Sequence, residues 1–114
     1  MKYYVIQNST YISFSLSEKG LPVGVAECST GANNEWYFNR LFVRPNYRRK
    51  GYGTKLLTKL LKLSKEIGIT IRLDINPYGE MNYEQLEKFY LQKGFIKYMI
   101  DGNPVYFFNK RKDN

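Results

Sequence analysis

The sequence has 114 residues, with no histidine and a single cysteine. Without an imidazole there can be no Ser-His-Asp or Cys-His nucleophile, no histidine base and no zinc centre that relies on histidine ligands. Cys28 has no partner for an internal disulfide, so the chain is not a stapled secreted scaffold and suits a reducing compartment. No apolar run approaches the roughly 18 residues that would span a bilayer, and Met1-Lys2-Tyr3-Tyr4-Val5-Ile6-Gln7 lacks the apolar core of a signal peptide. A cytoplasmic protein with no membrane contact is expected. Repeats, low-complexity linkers and composition shifts are also missing, so residues 1–114 are expected to form one domain. Acidic residues are few. Ten Asp and Glu stand against eighteen Lys and Arg, and the resulting +8 charge attracts nucleic acid, phosphate groups or an acidic partner.

What is present reads as mixed α and β structure. β-branched and aromatic residues cluster at Tyr3–Gln7, Tyr11–Leu16 and Val23–Ser29, separated by turn formers, which predicts an antiparallel meander. After Gly31-Ala32-Asn33-Asn34, the run from Glu35 to Val43 has apolar residues at both parities and predicts a central strand covered on both faces. Leu56, Leu57, Leu60, Leu61, Leu63 and Ile67 recur at helical spacing, with Lys55, Lys59, Lys62 and Lys65 as a solvated face and Gly68 at the C-terminal end. Ile69–Ile75 alternates as a strand and ends in the turn Asn76-Pro77-Tyr78-Gly79. A second helix is expected from Asn82, with Gln85 completing a capping box and Gly94 ending it. Phe95–Ile100 and Val105–Phe108 then form a closing hairpin around Asp101-Gly102-Asn103-Pro104, followed by a charged, frayed tail from Asn109.

The densest chemistry lies in Val43-Arg44-Pro45-Asn46-Tyr47-Arg48-Arg49-Lys50-Gly51-Tyr52-Gly53-Thr54, where a strand gives way to a helix. Gly51 and Gly53 leave amides uncovered where orphan N–H groups and the helix dipole favour an anion, and Arg48, Arg49 and Lys50 add full charges. This describes a pyrophosphate cradle. It lacks the Gly-Lys-Ser/Thr of a P-loop and the third glycine of a dinucleotide fingerprint. The same cations, interleaved with Tyr47 and Tyr52, would also serve a non-catalytic module for nucleic acid or an anionic protein, which is the alternative reading.

Arg48-Arg49-Lys50-Gly51-Tyr52-Gly53, preceded by Val43-Arg44-Pro45, resembles the coenzyme A motif of the Gcn5-related N-acetyltransferase (GNAT) superfamily, and Phe89-Tyr90-Leu91-Gln92-Lys93-Gly94-Phe95 resembles its second signature. The resemblance covers roughly residues 35 to 100. It implies an α/β (α+β) fold with a mixed, mostly antiparallel sheet of six to seven strands and two main helices. Asn8-Ser9-Thr10 leaves no room for the two helices that members usually place between the first two strands, so one sheet face should be thinly covered, as in short phage-encoded members.

The implied activity is transfer of an acetyl group from acetyl-CoA to a primary amine, on a protein lysine or a small molecule, by a monomer or homodimer. A longer acyl chain is equally compatible with the coenzyme motif, and nucleic acid is a secondary partner. The resemblance puts the cofactor against Leu41, Phe42 and Val43, where members carry a bulge that splays this strand from the next, and against Arg48, Arg49, Lys50, Gly51, Tyr52, Gly53 and Thr54. Many members carry a pantetheine-contacting asparagine seven residues before the tyrosine. That position is Tyr83 here, with Asn82 one residue early, and Asn76, further back, joins the candidate cofactor contacts. Tyr90 is the candidate acid for the departing thiolate, since a phenol ionises near ~10. With no histidine, the base is sought among Glu35, Glu27, Asp74 and bound water, with Glu35 favoured because it begins the central strand. Cys28 is expected to be a small buried residue, and Trp36, Tyr37 and Phe38 to pack in the core.

Overall fold

A computed structural model of the chain describes residues 1–77 and 79–110. Tyr78 of the expected turn and the charged tail after Lys110 lie outside the described residues. The elements are β1 (Lys2–Gln7), β2 (Tyr11–Glu18), β3 (Leu21–Thr30), β4 (Trp36–Val43), α1 (Tyr52–Ile67), β5 (Ile71–Leu73), α2 (Tyr83–Gln92), β6 (Ile96–Ile100) and β7 (Asn103–Phe108). They build a seven-stranded sheet in the order β1-β2-β3-β4-β5-β7-β6. All neighbours are antiparallel except β4 and β5. No described helix is long and apolar enough to cross a membrane.

The hairpins are tighter than the sequence suggests. Lys19 and Gly20 both take positive φ, 51° and 78°, in a two-residue turn, so β2 and β3 pair out to Glu18↔Leu21 instead of stopping at Leu16 and Val23. Lysine rarely signals that turn, which is why the strands looked shorter. Asp101 and Gly102, at 52° and 80°, make the corresponding turn between β6 and β7, and β7 therefore starts at Asn103 with Pro104 inside it. Between β1 and β2 only Asn8-Ser9-Thr10 intervenes, closed by the Thr10 N–H donating to Asn8 Oδ1 at 3.0 Å. No helix covers the sheet there.

Both helices pack on one face. Ile12, Ala26 and Cys28 from the meander, Leu57 and Leu60 from α1, and Ile71 from β5 belong to one buried cluster that also takes in Tyr90 of α2. Ser64, fully buried in α1, satisfies its hydroxyl by donating to the Leu60 carbonyl at 2.7 Å. Gly68 ends α1 with φ 77°, its N–H directed to the Lys65 and Ser64 carbonyls. The α2 start matches the capping-box expectation in both directions, Gln85 N–H to Asn82 Oδ1 and Asn82 N–H to Gln85 Oε1, each 2.9 Å. The helix is tied to the sheet by Tyr83 and Tyr106, whose hydroxyls lie 2.6 Å apart, and by Glu87, which accepts from Tyr106 and meets Lys97 Nζ at 3.0 Å. Those two bonds hold the Glu87 carboxyl below its usual range, while burial and the bond to Glu87 push the Tyr106 phenol up.

Among the described residues, the opposite face carries no helix. Cross-strand register places Tyr4, Ile6, Ser15, Val25, Arg40 and Phe42 there, and Tyr4, Ile6 and Phe42 are exposed by 53%, 55% and 37%. β4 is fourth of seven strands, as expected of a central strand, but it is not covered on both faces and none of its residues is fully buried. The physical reason is twofold. One side lacks a covering layer, and the C-terminal half of the strand has lost its β5 neighbour.

α1 approaches the sheet where Gly24 leaves room. A Cβ on Gly24 would stand 2.8 Å from the Phe42 carbonyl oxygen and 3.1 Å from Leu56 Cδ1. Gly24→Ala should therefore destabilise the protein by about 1–3 kcal/mol in denaturant titration, by forcing backbone or helix to shift. Unchanged stability would mean that α1 is free to move off this contact.

Candidate active site

The site is built on one extra residue. β3 and β4 pair as Glu27↔Arg40 and then as Cys28↔Phe38, so Asn39 bulges out of the ladder. Its amide Nδ2 donates to Ser29 Oγ at 2.8 Å and holds the bulge in place. The parallel ladder between β4 and β5 contains only Trp36↔Ile71 and Tyr37↔Arg72, and beyond it the strands part. β5 consequently ends at Leu73 rather than at the expected Ile75, although residues 74 and 75 keep the strand pattern in the sequence. A cleft of about 730 Å³ fills the gap, lined by helix-side Leu41 and Val43 and by open-face Arg40 and Phe42. It runs along the freed edge of β4 and reaches both faces of the sheet.

One end of the cleft is the start of α1. Gly51 takes φ 82°, a left-handed conformation that glycine adopts without a Cβ penalty, and open space surrounds its Cα. No side chain caps this helix and its first turn has no acidic residue, in contrast to the fully capped α2. The N–H groups of Tyr52, Gly53 and Thr54 begin a helix, where they have no intrahelical acceptor, and all three residues line the cleft. Arg48 is fixed beside them by donating from Nε to the Val43 carbonyl at 2.7 Å, with Nη1 3.8 Å from Glu80. Arg49 also lines the cleft, whereas Lys50 is outside the lining, its ammonium 5.7 Å from the ring of Tyr47, which does line it. Lys50 adds to the local field without touching the cleft.

Further along lies Tyr90, 8% exposed on α2 and lining the cleft. Phe38, Phe89 and Phe95 meet its ring edge-on at 5.8, 5.2 and 5.6 Å, which fixes its orientation. Asn76 lines the same cleft. Tyr83 does not, being occupied with Tyr106. Of the expected central-strand aromatics, Trp36 and Phe38 pack against the core, while Tyr37 sits on the open face beside Arg72.

The structure does not bring Glu35 to Tyr90. Glu35 precedes β4 at the far end from the cleft, is exposed, and accepts from the Tyr37 hydroxyl at 2.9 Å, which pushes that phenol up. Glu27 is also outside the lining, engaged by the Tyr11 hydroxyl and by Arg40 Nε at 3.5 Å. Two features were not singled out from the sequence. Asn39 is one: the resemblance implies a bulge in this strand, but nothing in the sequence marks which residue carries it. The other is the wall formed by Met81, Gln85 and Phe89, whose side chains face the cleft only once α2 is docked. The arrangement suits an extended ligand with an anionic end at α1, amide groups that can pair with the free edge of β4, and a reactive end near Tyr90 and the bulge.

The acetyltransferase (GNAT) family model matches residues 2–95. No curated protein matches the sequence. Among solved structures, the PaiA N-acetyltransferase of Thermoplasma acidophilum in complex with coenzyme A has a TM-score of 0.65 and 25% identity, covering 87% of this chain and 60% of its own. The ribosomal-protein-S18-alanine N-acetyltransferase of Escherichia coli gives 0.66 and 20%, over 90% and 70% of the two chains. The anti-CRISPR protein AcrVA5 gives 0.62 and 21%, over 84% and 97%. The last two likenesses are of fold. This chain spans 60% of the length of the Thermoplasma enzyme and 97% of that of AcrVA5.

Cys28 plays no part in the cleft. It is fully buried, and burial, with the nearby Glu27 charge, pushes its thiol up to about 12. A thiol-specific chromogenic reagent at pH 8 should leave the native protein unlabelled and modify it at once in denaturant. Rapid labelling of the native protein would contradict this placement.

Proposed function

The chain belongs to the GNAT acetyltransferase family, and on that footing we propose that it moves the acetyl group of acetyl-CoA onto a primary amine, carried by a protein lysine or a small molecule. One observation carries this reading: the uncapped start of α1 opens into the same cleft that Tyr90 lines. The residues present fit the cofactor. Helix N–H groups with Arg48 and Arg49 suit a pyrophosphate, open space at Gly51 lets it approach the backbone, and the freed edge of β4 offers unpaired peptide groups to a pantetheine arm. When bound, acetyl-CoA supplies an acetyl group activated as a thioester.

The protein's own residues do the rest. Backbone groups from Tyr52 to Thr54, with Arg48 and Arg49, bind and orient, while Leu41, Phe42, Val43 and Asn76 hold the arm along the cleft. Peptide N–H groups on the freed β4 edge are positioned to stabilise negative charge on a carbonyl oxygen. Tyr90 donates its phenolic proton to the departing sulfur, and its aromatic surroundings keep water away. The amine approaches over the open sheet face, where no helix stands in its way. A net charge of +8 disfavours polycationic acceptors and favours a lysine in acidic surroundings or a small amine.

Calorimetric titration with acetyl-CoA should show micromolar binding that excess DNA does not displace and that Gly51→Glu abolishes, the melting temperature of the variant serving as its folding control. Absence of binding, or displacement by DNA, would turn the basic surface into a nucleic-acid site instead. Tyr90→Phe should retain acetyl-CoA binding and lower turnover by about 10²-fold, measured as coenzyme A release with lysine peptides and small amines. Equal turnover would remove Tyr90 from the acid role.

A further inference from the structure

β1 lies at one edge of the sheet and, among the described residues, pairs only with β2, so every second residue directs its peptide groups outward with no strand to receive them. Tyr3, Tyr4, Val5 and Ile6 are exposed by 41, 53, 55 and 55%. They occupy both faces of the strand. Tyr3 and Val5 stand opposite Leu16 and Phe14 on the helix side, and Tyr4 and Ile6 opposite Ser15 and Ser13 on the open side. Four consecutive large apolar residues left to water are a defect in a protein that has no use for them. Edge strands are ordinarily blunted by an internal charge, a proline or a bulge. The other edge follows that rule, since β6 is five residues long and carries Lys97, whose ammonium is held by Glu87. β1 does not. Its one charge is Lys2 at its first residue, it contains no proline, and it pairs with β2 over six residues in unbroken register.

We propose that β1 pairs antiparallel with the β1 of a second copy of this chain, joining the two sheets edge to edge. The pairing goes beyond acetyl transfer and does not depend on it. The strand is complementary to itself. Opposed residues of an antiparallel pair share a face, and a two-fold axis normal to the sheet preserves faces, so the axis passes through Tyr4 or through Val5. The first register sets Tyr3 against Val5 and the second sets Tyr4 against Ile6, each an aromatic ring with a β-branched partner. Lys2 then meets Ile6 or Asn8 and never a second lysine. Such a pair uses up the edge in both copies and closes, whereas β1 on β6 would propagate into a filament, against which Lys97 stands. Area and charge set the strength. At about 200 Å² for a whole side chain of this class, four half-exposed residues offer about 400 Å² per copy. Two copies fall short of the roughly 1,200 Å² of a stable interface. Each also brings a charge of +8 and a Lys59 ammonium 4.7 Å from the Tyr3 ring. The dimer is therefore weak, and salt that screens the like charges tightens it.

Sedimentation equilibrium of the intact chain should show the mass rising from 13.5 kDa towards twice that value and no further as the protein is raised from about 1 μM to about 1 mM. The rise should begin at lower protein concentration in about 1 M than in about 0.1 M sodium chloride. Val5→Lys, which sets a charge in the middle of the edge with three strands between it and the cleft, should stay monomeric throughout with the melting temperature of the wild type as its folding control. Amide hydrogen exchange of the wild type keeps the test decisive if that variant does not fold. Between the dilute and the concentrated sample, Tyr3–Ile6 should gain about tenfold protection while β6 gains none. A chain that stays monomeric over the whole range, a mass that climbs past the dimer, a dimer that weakens in salt or survives Val5→Lys, or β1 amides that exchange equally in both samples overturns the assignment.

Discussion

The site depends on a local failure of strand pairing. One additional residue in β4, Asn39, breaks its register with β3, and the parallel ladder to β5 stops after Tyr37↔Arg72. In an intact sheet the peptide groups of residues 40 to 43 would be consumed by β5 and the space between the strands would be closed. Here they are left to a ligand, and a cleft crosses the middle of the sheet. The rest of the fold keeps this opening from collapsing. α1 is seated against β3 and β4 through Gly24 and the leucine cluster, and α2 is tied to β6 and β7 through Tyr83, Tyr106, Glu87 and Lys97.

The two helix starts are used in opposite ways. Asn82 and Gln85 satisfy the first amides of α2 reciprocally, so that this helix is complete without a ligand. α1 begins at a left-handed glycine with no side-chain cap, leaving its N–H groups and the positive end of its dipole facing the cleft. Both helices also lie on one face because each crossover joins strands that run in the same direction, β4 to β5 and β5 to β6, with the same hand. With nothing between β1 and β2 but a short turn, the second face carries no helix among the described residues.

The chemistry-bearing segment was legible in the sequence because its signals are local. Gly51 and Gly53 after a strand, basic residues before them, and Tyr90 ahead of Gly94-Phe95 can all be read within one or two turns of chain. The capping box and the Gly68 stop were legible for the same reason. What escaped is what tertiary structure decides. Ile69–Ile75 alternates along its length, yet only Ile71–Leu73 is strand, paired with β7 at all three residues and with β4 at Ile71 and Arg72 alone. Lys19 and Pro104 sit in turn-forming stretches of the sequence, yet the strands continue up to or through them. Glu35 stands at the start of the central strand, yet it lies outside the cleft and is engaged by Tyr37, a placement no spacing rule reveals.

The most direct measurement is backbone amide chemical shifts followed by NMR as coenzyme A is added. If the broken β4–β5 ladder and the uncapped helix are the binding site, the largest changes fall on Leu41–Val43 and Tyr52–Thr54, while Tyr3–Ile6 on the distant edge strand stay in place. Changes centred on β1 and the open face, with the α1 amides unmoved, would contradict the account.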